Sequence, residues 1–320
     1  MSDPVLRLLT VDDLDDALRL STIVGWNQRL DDWRILLQIA PGAAFAAVID
    51  GRIAATAMGI DYGRFWWIAM MLVDPAYRRR GLGRRLLETA MGAAPAHLPI
   101  RLDATPLGRP LYLQYDFVDE CTLSRHVRRG RPAFAPASSR ALRRGRPASR
   151  ALKSGVDVRP MQSSDLAMIV EKDRTIFGGN RAAVLEWAFH DAPQFAHVVH
   201  ASDGPTHYCF GRLGRLFDQV GPVVAGDERI AQALAGAALD AAADRPVVVD
   251  AFDPSTSSGS SRATSRGDRQ IEFAAWLDSR GFAVERPLVR MCRPATAKRA
   301  TTAVTSSVIV EFAIFGPEFA

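Results

Sequence analysis

Apolar residues run without a break from Phe65 to Val73 (FWWIAMMLV). The run is far short of the ~20 residues a bilayer-spanning helix needs, and it suits a strand buried on both faces. Asp74-Pro75-Ala76-Tyr77 then reads as a turn, and Arg78-Arg79-Arg80-Gly81-Leu82-Gly83 as a basic, glycine-rich loop. From Arg84 to Met91 the pattern returns to the 3.6-residue period of an amphipathic helix. Ile100 to Thr105 reads as the next strand, and Pro110 to Phe117 as a short helix closing in a tight turn. Near the start, Arg7 precedes Asp13-Leu14 and an apolar helix pattern, the order of strand, acidic helix start and helix.

Three of these registers recur later in the chain. Arg159 precedes Asp165-Leu166 as Arg7 precedes Asp13-Leu14. The buried strand closing on Val73 has a counterpart closing on Val224. Phe282 stands before Arg290 at the spacing of Phe117 before Arg125. The phenylalanines lie further apart than the valines, so the second copy carries an insertion after its central strand. Ser255 to Gly267 (STSSGSSRATSRG) fits that insertion and reads as a mobile loop. The pattern predicts two α/β domains, each a twisted mixed β-sheet flanked by helices, at 1–127 and 155–320.

Composition agrees with two domains, because 320 residues at 48% hydrophobic exceed what one ordinary core of roughly 100 to 150 residues takes. The net charge of +5 is local: nine basic residues and no acid lie between Arg128 and Lys153, so the remainder is mildly acidic. That stretch contains Pro132, Pro136 and Pro147 and repeats RRGRPA. It reads as a basic low-complexity linker, 128–154, in preference to an arm for nucleic acid or a membrane surface. Met1 to Arg19 interleaves Asp and Arg with Leu and lacks the apolar core of a signal peptide. Three separated cysteines, Cys121, Cys209 and Cys292, have no metal-ligand spacing. A cytoplasmic protein with no metal is the expectation.

A strand, a glycine-rich turn and a helix in that order form an anion cradle. Glycines let backbone approach a ligand, and the first N–H groups of the helix face a pyrophosphate with the macrodipole behind them. Neither the Rossmann nor the Walker spacing is present. Arg78, Gly81 and Gly83 after the strand resemble the acyl-CoA loop of GNAT-superfamily acetyltransferases, R/Q-x-x-G-x-G/A. The resemblance implies that backbone groups of Met71, Leu72 and Val73 hold the pantetheine arm and thioester, and that Arg78, Arg79, Arg80, Gly81, Leu82, Gly83 and Arg84 hold the pyrophosphate of acetyl-CoA. It implies no metal.

Leu111-Tyr112 through Phe117 resembles the superfamily signature L-Y-x-x-x-G-F, with Asp116 in the glycine place, a residue that tolerates left-handed backbone. The resemblance makes Tyr112 the acid that protonates the departing thiolate; the alternative is a packing tyrosine. No acid lies between Phe65 and Val73, where some members carry a glutamate. Asp103 is the candidate general base, or else a cap for the turn before Pro106. Trp26, Asn27, Gln28 and Trp33 fall at the first helix-to-helix turn, which faces the acceptor in this superfamily. The other reading makes Trp26 and Trp33 a core pair, and Asn27 and Asp32 helix caps.

The second copy has Asp227 and Glu228 in place of the arginine loop, and Leu277 in the tyrosine place. The whole chain is similar to bacterial tandem GNAT proteins whose second half lacks the CoA signature. That resemblance implies an N-acyltransferase moving an acetyl or short acyl group to a primary amine, on a small molecule or peptide. The rival is a non-catalytic acyl-CoA sensor. The second half would complete the acceptor pocket or hold a homo-oligomer together.

Overall fold

A computed structural model of the chain describes residues 3–130, 155–201, 204–242, 244–253, 263–295 and 309–320. Residues 131–154 of the basic linker lie outside the described residues, as do 255–262 of the Ser/Gly-rich insertion.

The first half runs β1 (Val5–Leu8), α1 (Leu14–Ile23), α2 (Leu30–Ile39), β2 (Ala44–Ile49), β3 (Arg52–Asp61), β4 (Trp66–Val73), α3 (Leu82–Gly92), β5 (Ile100–Ala104), α4 (Arg109–Leu113) and β6 (Val118–Arg128). The same order returns as β7 (Val158–Pro160), α5 (Ser163–Phe177), α6 (Ala182–Asp191), β8 (His197–Ala201), β9 (Gly204–Arg212), β10 (Asp218–Ala225), α7 (Glu228–Ala241), β11 (Val247–Phe252), α8 (Ala263–Ser279) and β12 (Ala283–Arg293). One further strand, β13 (Val310–Ile314), follows. Residues 263–267, expected in a loop, begin helix α8.

Among the described residues the strands form one mixed sheet of 13, in the order β1-β2-β3-β4-β5-β12-β6-β11-β13-β10-β9-β8-β7. This corrects the expectation of two separate sheets. β12 of the second half enters between β5 and β6 of the first, and β6 pairs in turn with β11. The halves therefore exchange their last common strands, β6 and β12, and the sheet is continuous across the exchange.

Burial follows the residue pattern. In β4, Trp66 and Ile68 join the core under α3, whereas Trp67 and Ala69 join a core shared with α1, α2, α5 and α6. Both faces are covered, which is why the strand is apolar throughout. Trp67 is fully buried, and its loss to Ala would cost about 3–5 kcal/mol by the cavity left behind. α1 and α5 start alike: Arg7 pairs with Asp13 at 2.6 Å and Arg159 with Asp165 at 2.7 Å. Each aspartate also accepts from a backbone N–H three residues earlier, Thr10 or Gln162, so one carboxylate caps the helix start and anchors the preceding strand.

Candidate active site

β4 and β5 run parallel but pair only at Trp66 with Ile100 and Trp67 with Arg101. Beyond that point they separate, β4 staying on β3 and β5 on β12. The facing edges leave a slot in which, among the described residues, no strand joins them, the kind of edge an extended ligand can pair with as a strand would. The second half has the same split, since β10 and β11 pair only at Asp218 with Val247 and Gln219 with Val248. There β13 fills it, pairing with β10 at Val223 to Ala225 and with β11 at Asp250 and Ala251.

At the mouth of the first slot, Asp74 accepts from Ala76 N at 3.0 Å and closes the turn after β4. Arg79 and Gly81 then take left-handed backbone, with φ of 62° and 77°, and curl the chain into α3. Gly81 is the N-cap and offers no side chain to the helix start. A Cβ on Gly83 would meet Val73 Cγ2 at 3.5 Å and Leu111 Cδ2 at 4.0 Å, ordinary contacts, so the protein's own packing does not demand glycine there. Arg78, Arg79, Arg80, Arg84 and Arg85 are exposed around this end. Arg84 bonds Gln114 at 2.8 Å and Arg80 lies over the Tyr77 ring, and among the described residues none of the five meets a carboxylate. The corresponding start of α7 is closed by Asp227, whose carboxylate accepts from Ile230 N at 2.9 Å.

Within β4 the register against β3 shifts: Ala69 is opposite Met58 and Leu72 opposite Thr56. Met70 and Met71 thus share one partner position in a β-bulge, and Met70 has a φ of 51°. Met71 and Val73 are half-buried in the slot region, and Leu72 is buried in the core.

Tyr112 is buried against Phe117, ring centroids 5.9 Å apart, in the same core as Leu82 and Leu86 of α3. Burial pushes its phenol well above the usual range, so it stays a proton donor. Its hydroxyl has no hydrogen-bond partner among the described residues. Asp116 has a φ of 60°, the left-handed backbone expected for the turn after α4.

Asp103 does not face the slot as a free carboxylate. Arg290 of β12 grips both its oxygens at 2.9 Å, and its side chain is fully buried. The pair fixes the register of β12 on β5, where the two residues are direct partners, and no cap for Pro106 is involved. A bidentate lock on both oxygens suits an anchor better than a proton acceptor.

The helix-to-helix turn is brought to the other half of the chain. Asn27 donates to Phe217 O at 2.8 Å and accepts from Leu216 N and Phe217 N, tying the turn to the β9–β10 hairpin. Asn27 is thus neither a helix cap nor an open acceptor contact. Trp33 is fully buried and donates to Ser21 Oγ at 3.2 Å, a core role. Trp26 is half-buried, and Gln28 donates to Glu318 at 3.1 Å. Asp32 caps α2 through Arg29 N and meets Arg212 of β9 at 3.0 Å; Arg212 also holds Glu318. Sequence reasoning missed β13, Arg212 and Thr56. Thr56 did carry a signal, as the one polar residue inside the apolar run Ile53 to Met58.

Among the described residues no group of three or more His, Cys, Asp or Glu is placed to hold a metal, and no helix is long and apolar enough to cross a membrane.

Residues 11–106 match the family model of the Acetyltransferase (GNAT) family. The uncharacterized N-acetyltransferase YitH of Bacillus subtilis strain 168 is 25% identical over 170 residues, 53% of this chain, and the chain spans about half the length of that relative, 54%. A crystal structure of a candidate acetyltransferase from Pyrococcus horikoshii superposes with a TM-score of 0.67 at 21% identity, over 99% of this chain and 96% of that one. The GCN5-related N-acetyltransferase from Sphaerobacter thermophilus gives 0.56 at 17% identity, over 95% and 98%. The two structures speak for the fold alone, and the family model with the Bacillus relative supports the GNAT acetyltransferase superfamily.

Proposed function

We propose that the chain is an acyl-CoA-dependent N-acyltransferase that moves an acetyl or short acyl group from CoA to a primary amine by direct attack. The observation that carries this reading is the open split between β4 and β5, leading to an α3 start without a side-chain cap, ringed by arginines that meet no carboxylate among the described residues. The pantetheine arm pairs along Met71, Leu72 and Val73, and the pyrophosphate meets the N–H groups of Leu82, Gly83 and Arg84 with Arg78, Arg79 and Arg80 around it. Tyr112 protonates the leaving thiolate.

Residues 1–127 carry this site, 128–154 is the linker, and 155–320 is a second GNAT-like half without a CoA site. The filled second split and the Asp227 cap support that division. The second half completes the acceptor side, where its β9–β10 hairpin meets Asn27. Its alternative role is to hold a homo-oligomer together. The rival reading, a non-catalytic acyl-CoA sensor, is favoured by one observation, the locking of Asp103 by Arg290. A small-molecule or peptide amine is the acceptor class, and Cys121, Cys209 and Cys292 stand outside any disulfide, in line with a reducing compartment.

Calorimetric titration with acetyl-CoA, followed by thiol release across a panel of amines, tests the proposal. One site per chain and amine-dependent thiol release are expected. No binding overturns the reading, and binding without turnover on any amine class leaves the sensor.

A further inference from the structure

Thr56 sits in the middle of β3 with its side chain fully buried, among Ala54, Ala55 and Ala57. Its hydroxyl donates to Met70 O at 2.8 Å across the bulge. Met70 is the residue with left-handed backbone, a conformation that a side chain as long as methionine adopts only when its surroundings hold it. A trans peptide is planar, so the N–H of Met71 points opposite to the Met70 carbonyl. With that carbonyl drawn toward Thr56 on β3, the Met71 N–H is turned away from β3.

We infer that Thr56 is a positioning residue: its hydroxyl fixes the Met70–Met71 peptide so that Met71 N–H donates to the thioester carbonyl oxygen of the acyl donor. The inference rests on the acyl-CoA reading above and deepens it. A hydrogen bond to that oxygen strengthens as negative charge develops there during amine attack, and a donor held in place before reaction avoids reorganisation at that moment. Without the hydroxyl, Met70 O loses its partner in a dry core, and the peptide is free to rotate toward an ordinary strand geometry.

The experiment uses the full chain and two probes, CoA and acetyl-CoA labelled isotopically at the thioester carbonyl. In the unmodified protein the infrared carbonyl band of bound acetyl-CoA is expected below its position in water. Thr56→Val and the smaller Thr56→Ala should return it toward that position while CoA affinity is unchanged, and Thr56→Ser should keep the low band. The alanine variant stands in if valine fails to fold. Retention of the low band in Thr56→Val or Thr56→Ala overturns the assignment of Thr56. Bound acetyl-CoA with an unshifted band in the unmodified protein overturns the role of Met71 N–H. Failure of the unmodified protein to bind either probe overturns the acyl-CoA reading itself.

Discussion

Arg125 of β6 and Asp250 of β11 form a buried bidentate ion pair with both nitrogen-to-oxygen distances at 2.7 Å. Arg290 of β12 and Asp103 of β5 repeat it at 2.9 Å. In each pair the arginine comes from one half and the aspartate from the other, and the two residues are direct partners across adjacent strands. A slip of one residue would turn these charges to the opposite face and leave them unpaired in the core. The two pairs therefore lock the strand exchange in register.

Because β12 lies between β5 and β6, neither half has a complete sheet alone. A protease site placed between residues 131 and 154 and then cleaved should leave a complex that runs as one species on size exclusion and separates only in denaturant. Two freely separating fragments would show that the exchanged strands are not needed.

Arg290→Met removes one partner and strands the Asp103 carboxylate in a dry setting. About 3–5 kcal/mol of stability should be lost in urea unfolding. The double variant Arg290→Met with Asp103→Leu should recover most of it, since no uncompensated charge remains. Equal loss in both variants would assign the cost to packing of Arg290 on Trp67 and Phe252, whose rings it overlies.

The two glycines of the α3 turn should fail in different ways. Gly81→Ala forces a Cβ into left-handed backbone and should cost about 1–2 kcal/mol of stability. Gly83→Asp has room within the protein and should melt near the unmodified temperature. It places a carboxylate where the proposed function puts the pyrophosphate, so acetyl-CoA affinity should fall by about tenfold or more in calorimetry. Unchanged affinity in a folded Gly83→Asp protein would remove the loop from the site.

Tyr112→Phe keeps the ring against Phe117 and deletes only the hydroxyl. Turnover should drop by roughly 10²-fold with acetyl-CoA affinity unaltered, the pattern of a lost general acid. Normal turnover across the pH range would make Tyr112 a packing residue.

Burial pushes Asp32 up to about 6 from 3.8, against the pull of Arg212. A carboxyl raised on folding holds its proton more tightly in the native state. Its contribution is therefore fully favourable below about pH 4 and is lost as pH rises through about 6. Acidification from about pH 7.5 to about pH 5 should thus raise the Tm of the unmodified protein relative to Asp32→Asn. Glu311, also raised by burial, is common to both proteins and cancels in the difference. A constant Tm difference would mean that Asp32 is ionised throughout.

Much of this molecule is written in local pattern. The apolar run after Phe65, the turn through Gly81 and the period after Arg84 place strand, loop and helix, because burial on two faces, left-handed backbone and one-sided burial each leave their own signature over a few residues. The recurrence of Arg7 and Asp13 as Arg159 and Asp165 is local too, an ion pair and helix cap made within one turn of chain. Asp227 in place of a basic loop already marked the second half as different.

The remainder depends on what lies far away in the chain. The repeat of Phe117 and Arg125 in Phe282 and Arg290 is visible in the sequence, but its meaning is not, since each arginine finds its aspartate in the opposite half. Asp103 reads as a free carboxylate until Arg290, distant in sequence, closes on it. Asn27 reads as a cap or an acceptor contact until the β9–β10 hairpin arrives to take its amide. Strand order, the filling of one split by β13 and the openness of the other are decided by pairing between distant edges. Backbone hydrogen bonds at a strand edge carry no side-chain identity, so no residue pattern specifies in advance which strand will make them.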